Sequence, residues 1–167
     1  MKKFSLIGVI VLMACGGSLS DEQRKKLHDG MENQKIIKLN DSEIVTASLD
    51  QGRIIFSALE KVKFDPAKVD SLSEAYHARI RWIVPGSPDA LEVESQLIEA
   101  YVIGAETGST QDNIQKLRQD PQSEEYDSLL YSRPVVTPMP DGVVNVEGVW
   151  NIYLAKKEII LSVSKKN

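Results

Sequence analysis

The stretch that decides the fold reads DSLLYSRPVVTPMPDGVVNVEGVWNIYLAKKEIILSV and runs from Asp127 to Val163. Residues 127–137 and 143–154 are rich in β-branched and aromatic side chains that alternate with period two, a pattern typical of strands. Asp141-Gly142 between them is a hairpin signal, although two nearby prolines predict a loop longer than two residues. The stretch therefore predicts two antiparallel strands.

The second of these strands is expected to bury one continuous face. That face would carry Val144, Val146, Gly148, Trp150, Ile152 and Leu154. A glycine on the buried face predicts a bulge, or the close approach of another group to the sheet. The following segment, 156–161, predicts a short final helix, with a last strand as the alternative because its apolar residues also alternate.

Upstream, Asn40-Asp41-Ser42 followed by Glu43 has the pattern of a helix start. Apolar residues then recur at helical spacing, and Pro66 predicts that the helix ends near Lys63. Gly52 falls within this helix, where it either permits close packing against a neighbour or has no role.

The middle of the chain predicts shorter elements. Residues 65–70 are interpreted as a connector. Residues 71–76 allow one helical turn. Residues 78–84 predict a strand that buries Ile80, Trp82 and Val84 and exposes Arg79, Arg81 and Ile83. Asp89 is expected to cap the next helix, and 110–120 are interpreted as a short polar helix. Because helices cluster early and strands late, the order favours an α+β fold.

The N-terminus has the features of a bacterial lipoprotein signal peptide. Lys2 and Lys3 precede a short apolar run that is too short to span a bilayer. The run ends Leu12-Met13-Ala14-Cys15, which resembles a lipobox and implies that Cys15 is lipidated and becomes the mature N-terminus. We therefore expect a signal peptide over 1–14, a lipidated tether and polar helix over 15–40, and one domain over 41–167.

Composition narrows the classes of function. The formal net charge is −4, and loss of the signal peptide would remove two lysines and no acid. An acidic body argues against nucleic-acid binding. It also argues against a polybasic membrane-binding surface, so contact with the membrane should come from the lipid alone. Because Cys15 is the only cysteine, the domain is expected to have no disulfide and no cysteine-based zinc site. Gly16 follows Cys15, where enteric lipoproteins retained in the inner membrane have Asp. By this analogy the protein is expected in the outer membrane, with its domain facing the periplasm or the cell surface.

Several blocks of the sequence resemble the PAS-like c-type haem domain family of exported bacterial proteins and sensor domains. These blocks are Ser73-Glu-Ala-Tyr76, Arg79-Ile-Arg81, Pro88 to Tyr101, Leu129 to Val135 and Val146 to Ile152. The resemblance covers most of the chain from about Ser42 onward. It implies a PAS-like antiparallel sheet packed by N-terminal and crossover helices.

Members of that family carry a Cys-X-X-Cys-His motif between the two late strands. The corresponding loop here, Thr137 to Val144, contains neither Cys nor His. Covalent haem attachment is therefore excluded, and no haem-binding residue or cofactor is carried over. Non-covalent haem would need His77 or Met139 as an axial ligand, and this is the alternative interpretation: an accessory redox protein.

The favoured interpretation is a lipid-anchored envelope protein whose domain senses a small ligand or binds another envelope protein. Its expected ligand-binding residues are Trp82, Tyr101, Tyr131, Arg133 and Trp150. Arg79, Arg81 and Arg133 would line an anion pocket if their strands were neighbours, but outward-facing arginines are the simpler explanation. No nucleophile motif or metal-ligand spacing is present, so we expect neither an enzyme nor a metal site. A structural lipoprotein with a filled core is the third interpretation.

Overall fold

The computed structural model of the chain describes residues 20–22, 25, 39–120, 122–140 and 144–165. The chain divides into two compact units, Met1–Ile36 and Ile37–Asn167. In the first unit Asp21, Glu22 and Lys25 are helical, within the segment where the sequence predicts a polar helix. The predicted signal peptide and Cys15 lie outside the described residues.

The second unit is an α+β fold, as the sequence predicts. Its helices are α1 (Asp41–Lys61), α2 (Pro66–Ala75), α3 (Glu92–Glu106) and α4 (Lys156–Ser164). Its strands are β1 (Ala78–Ile83), β2 (Asn113–Leu117), β3 (Ser128–Pro138) and β4 (Val144–Ala155). The strands form one antiparallel sheet in the order β1-β4-β3-β2. Among the described residues, no helix is both long and apolar enough to cross a bilayer.

Helix α1 begins where the sequence predicts. The backbone N–H of Glu43 donates to Oδ1 of Asn40 at 2.9 Å, and the N–H of Asn40 donates back to Oε2 of Glu43 at 2.7 Å. These two bonds form a capping box, which satisfies two backbone donors that the helix itself leaves free. The helix ends at Lys61, close to the predicted Lys63.

Two helix starts differ from the prediction. The segment 65–70 is not a connector: Asp65 accepts from the N–H of Ala67 at 3.1 Å, and Pro66 is the first residue of α2. Helix α3 begins at Glu92 rather than directly after Asp89, because the buried carboxylate of Glu94 accepts from the N–H of Leu91 at 2.8 Å. The side chain of Glu94, inside the helix, therefore takes the capping role that the sequence assigns to Asp89.

The prediction of a polar helix over 110–120 is wrong. Residues 113–117 form β2, which pairs with β3 so that Ile114 faces Tyr131 and Leu117 faces Ser128. Ile114 and Leu117 are three residues apart, a spacing that fits a helix as well as an edge strand. Pairing with the longer strand β3 makes this segment a strand.

Helices cover both faces of the sheet. On the α1 face, the buried core comprises Ile55, Phe56, Leu59, Leu129, Tyr131, Trp150, Ile152 and Leu154, together with Ile159 of α4. On the α3 face it comprises Ile83, Leu97, Ile98, Tyr101, Leu130, Val146 and Val149. Because both faces are covered, alternation does not separate buried from exposed residues in the central strands.

The predicted burial of β1 is wrong for this reason. Ile83, expected to point outward, is buried beneath α3, whereas Trp82 and Val84 are 37% and 40% exposed. The single buried face predicted for β4 is also wrong. Val135 pairs with Gly148 and Val136 with Val146, so Glu147 is an extra, bulged residue. A one-residue bulge moves Val146 to the α3 face while Trp150 stays on the α1 face.

The prediction for Gly148 is confirmed, and of the two alternatives for Gly52 the structure supports close packing. The bulge lies beside Gly148, and Trp82 approaches this glycine closely. Gly52 permits close packing, because a Cβ at this position would lie 2.8 Å from Cβ of Tyr131. The final segment is the helix α4 rather than a strand.

Candidate functional site

A groove opens on the α1 face of the sheet, where the sheet extends beyond the end of α1. It has a volume of about 460 Å³, and we call it the tryptophan groove. Its lining comprises Phe64, Pro66, Val69, Asp70, Ile80, Trp82, Val135, Glu147 and Trp150. A mostly apolar pocket of roughly 300–1,000 Å³ with a few polar groups is the usual form of a small-molecule site.

The floor of the groove is formed by the two tryptophans. Trp82 of β1 and Trp150 of β4 are cross-strand partners, with ring centroids 5.0 Å apart and planes inclined at 43°. Trp150 is 6% exposed, whereas Trp82 is 37% exposed. The Trp82 indole lies across Gly148, which has no side chain to lift it off the sheet. The arrangement leaves part of a large aromatic surface open to the groove.

Phe64 forms the wall of the groove through an unusual helix end. The N–H of Phe64 donates to the carbonyl of Leu59, and that of Lys63 to the carbonyl of Glu60, both at 3.0 Å. This pair of bonds is a Schellman motif, in which the first residue past the cap is left-handed and usually glycine. Here Lys63 has φ 54° and Phe64 has φ 56°. Strained backbone of this kind persists where the surroundings enforce it.

The result of that strain is a stacked aromatic pair. The Phe64 ring lies 5.3 Å from the Trp150 ring and is inclined to it by only 15°. Phe56 stands behind it at 6.0 Å. Sequence reasoning missed Phe64, although an aromatic residue shortly after a helix end and before Asp65-Pro66 is the signal by which it is recognised.

Two carboxylates line the groove. Asp70 belongs to α2, and Glu147 is the bulged residue of β4. The hydroxyl of Thr137 donates to Oε1 of Glu147 through a short hydrogen bond. In the residues that the structure describes, neither carboxylate has an ion-pair partner.

The two tyrosines predicted for the ligand pocket do not line the groove. Tyr131 is fully buried beneath α1, and its hydroxyl donates to Oδ2 of Asp112 at 3.1 Å. Tyr101 belongs to α3 on the opposite face, where its hydroxyl lies 3.0 Å from the carbonyl oxygen and from Oγ of Ser132. Aromatic type alone suggested both residues. Tyr131 shares the α1 face with Trp82 but is covered by α1 at Gly52, whereas the sheet itself separates Tyr101 from Trp82.

Arg133 does not line the groove. It is the cross-strand partner of Trp150, and its guanidinium stands 4.3 Å from the centre of the Phe56 ring. Arg81 pairs with Asn151, the next residue of β4, and therefore lies on the other face. The arginines do not converge into an anion pocket. Arg79 is exposed, as the simpler interpretation expects, but Arg81 is not outward-facing, because it pairs with the buried carboxylate of Glu94.

The α3 face holds a buried polar layer around Glu94. This fully buried carboxylate accepts from the hydroxyl of Tyr153 at 2.7 Å and pairs with Nε of Arg81 at 3.2 Å. Burial, and then Glu94 itself, raises the pKa of Tyr153. Asn151 is also fully buried, and its side chain has no hydrogen-bond partner among the described residues. The ionised groups of this layer bind one another, so we assign the layer to stability.

A second network joins α1 to the sheet. Arg53 donates to Asp112 through Nε at 2.7 Å and Nη2 at 3.1 Å, while Tyr131 donates to the same carboxylate. The Arg53 guanidinium holds the pKa of Asp112 below its ordinary value. Burial, and then the Asp112 charge, raises the pKa of Tyr131. All three groups are occupied by one another, and none of them faces the groove.

The described residues contain no cluster of three or more His, Cys, Asp or Glu that would hold a metal. His77 is exposed at the junction of α2 and β1, and Met139 is 46% exposed in the β3–β4 loop. Neither lines the tryptophan groove. An iron ligand for haem bound in this groove would have to come from elsewhere.

Comparison of the chain with protein-family models, with curated proteins and with solved structures finds no match.

Proposed function

We propose that the chain is a lipid-anchored protein of the bacterial cell envelope whose domain is a binding module for a small ligand with a flat apolar part. In this proposal the domain is a PAS-like module that has lost covalent haem attachment. The ligand occupies the tryptophan groove, and Cys15 carries the lipid. The protein acts by binding and not by catalysis.

The exposed indole of Trp82 carries the proposal. Trp82 is 37% exposed in a concave site, beside the stacked pair of Phe64 and Trp150, and so offers part of its indole surface to a ligand. A flat ligand would cover that exposed surface. An aromatic pair contributes about 0.5–1.5 kcal/mol beyond the area that it buries.

The construction of the floor and wall supports the same function. Gly148 lets Trp82 lie flat, and two consecutive left-handed residues place Phe64. Each device costs stability or conformational freedom, and strain of this kind clusters at binding sites. A protein with a purely structural role has no need of a groove that is kept open in this way.

The proposal is tested by ligand binding to the purified full-length chain in detergent, with detergent alone as the blank. The chain has two tryptophans, and both belong to the groove, so intrinsic fluorescence reports on this site alone. We expect naphthylmethanol and its charged analogues to change the emission in a saturable way, with equilibrium dialysis giving the stoichiometry. One site per chain is expected.

Two variants locate the site. Trp82→Ala should abolish binding, whereas Ile103→Ala should leave it unchanged, because Ile103 is 60% exposed but lies in a different groove on α3. Dialysis is needed here, since Trp82→Ala removes half of the fluorescent signal. Saturable binding that survives Trp82→Ala, or no binding of any probe, would overturn the proposal.

The anchor is tested separately by Cys15→Ser. We expect the unaltered protein to incorporate labelled palmitate and to sediment with membranes, and the variant to incorporate none. An inhibitor of the lipoprotein signal peptidase should cause the full precursor to accumulate. Palmitate labelling that is unaffected by Cys15→Ser would contradict lipidation at this residue.

A further inference from the structure

We infer that the ligand of the tryptophan groove is a small organic cation, with a flat apolar body and a substituted ammonium group. The inference rests on the proposed function and specifies its ligand. The groove supplies an apolar floor and wall for the body of the ligand. Its charged lining residues, Asp70 and Glu147, are both acidic.

The position of the two carboxylates supports this charge preference. Asp70 lies on the helix side of the groove with Val69, and Glu147 lies on the sheet side, three residues from Trp150. Both are exposed, and in the described part of the chain neither forms an ion pair. A cation in the groove would therefore meet negative charge from both sides.

Arg133, the cross-strand partner of Trp150, does not line the groove. The guanidinium of Arg133 is held over Phe56 at 4.3 Å, behind the aromatic wall. Glu147 accepts a hydrogen bond from the hydroxyl of Thr137, which orients the carboxylate without neutralising its charge. The negative charges of the groove thus remain available to a ligand.

The aromatic floor adds to the preference. The face of an indole is the best side-chain surface for a cation, and quaternary ammonium groups are recognised by aromatic rings in this way. An anion would meet the negative faces of the rings as well as two carboxylates. We expect the cation to bind about tenfold more tightly than a neutral molecule of the same shape.

The size of the groove favours a small molecule over a protein segment. Its volume of about 460 Å³ is within the range of small-molecule sites. The occupant is therefore a free organic cation. A basic peptide that binds while the small cation does not would contradict it.

The test compares three probes that share a ring and differ in charge: naphthylmethyl-trimethylammonium, naphthylmethanol and naphthylacetate. The expected order of affinity is cation, neutral, anion, with the preference for the cation weakened by added salt. Equal affinity for the cation and the neutral probe would overturn this inference and leave the proposed function intact. Failure of all three would overturn both.

A pair of double variants assigns the preference to the carboxylates. Asp70→Asn with Glu147→Gln should reduce the affinity for the cation about tenfold and leave the neutral probe unchanged. The matched control is Glu99→Gln with Glu106→Gln, which makes the same change in net charge at two exposed positions of α3. All four positions are exposed, so the melting temperature should stay constant. An equal loss of cation binding in the control would contradict a local effect.

Discussion

The indole of Trp82 lies against Gly148 so closely that a β-carbon on the glycine would stand 2.6 Å from Cη2 of the ring and 2.8 Å from the carbonyl oxygen of Ile83. The first prediction follows from this contact. Gly148→Ala should displace the indole, lower the free energy of unfolding by about 1–3 kcal/mol and shift the tryptophan emission to longer wavelength.

Gly52→Ala provides the matched control, because its new methyl group would collide with the ring of Tyr131 rather than with a tryptophan. We expect a comparable loss of stability, measured by urea unfolding, without the change in emission. A Gly148→Ala protein whose emission and ligand binding equal those of the unaltered chain would show that the close contact does not shape the groove.

The second prediction concerns the end of α1, where Lys63 occupies a position that favours glycine. A left-handed residue with a side chain costs roughly 1–2 kcal/mol, and glycine gives back about half of that gain through its greater freedom in the unfolded chain. Lys63→Gly should therefore raise the free energy of unfolding by about 0.5–1 kcal/mol, as measured from the urea midpoint.

Helix α3 supplies the reverse experiment. It ends in the same pattern of bonds, from Gly108 to Ala105 and from Ser109 to Gly104, and Gly108 has φ 78°. Gly108→Lys should lower the stability by about as much as Lys63→Gly raises it. If both substitutions are neutral, backbone strain does not limit the stability of either helix end.

Much of this fold can be predicted from local sequence, and the exceptions have physical causes. The capping pattern at Asn40 predicts α1, and alternation predicts β3 and β4. Strand β2 is missed because pairing with β3, and not its own composition, makes it a strand. The first half of helix α2 is missed although Asp65-Pro66 is a regular cap and first residue, because a proline at this position also marks the end of α1.

The site is predicted in part. Trp82 and Trp150 line one groove, whereas Tyr131 lies under α1 on the same face and Tyr101 lies on the opposite face. Which face a strand residue occupies depends on register, and the bulge at Glu147 changes the face within β4. A bulge is a property of two paired strands. The pattern of one strand therefore does not reveal it.

The third prediction concerns the buried carboxylate of Glu94. Glu94→Leu would leave Nε of Arg81 and the hydroxyl of Tyr153 without their partner in a largely buried layer, while Nη2 of Arg81 keeps its contact with Asp89. Removing one member of a buried ion pair typically costs about 3–5 kcal/mol. Adding Arg81→Met should recover part of that loss, because the second substitution removes the guanidinium that has lost its buried partner.

A double-mutant cycle in urea measures the coupling between the two positions. Glu92→Leu, at an exposed position on the same helix, is the control and should change the stability by no more than about 0.5 kcal/mol. Additive effects of Glu94→Leu and Arg81→Met would contradict a direct interaction between their side chains.

The fourth prediction is a dependence of stability on acid pH that arises from Asp112. The hydrogen bond from Arg53 holds the pKa of Asp112 below its ordinary value of 3.8, so the unfolded chain takes up a proton at this position more readily than the folded one. The contribution is therefore fully present above pH 3.8 and is lost as the pH falls through the lower folded pKa. Urea midpoints measured between about pH 5 and pH 2 should show this loss.

Asp112→Asn should make the acid side of the stability profile less steep, because the titrating carboxyl is gone. Arg53→Met should do the same by a different route, since it removes the main cause of the lowered pKa and leaves the carboxyl in place. Tyr131→Phe should have a smaller effect, because the Tyr131 hydroxyl lowers the pKa of Asp112 less than the guanidinium does. A profile as steep in Asp112→Asn as in the unaltered chain would place the acid sensitivity at other carboxyl groups.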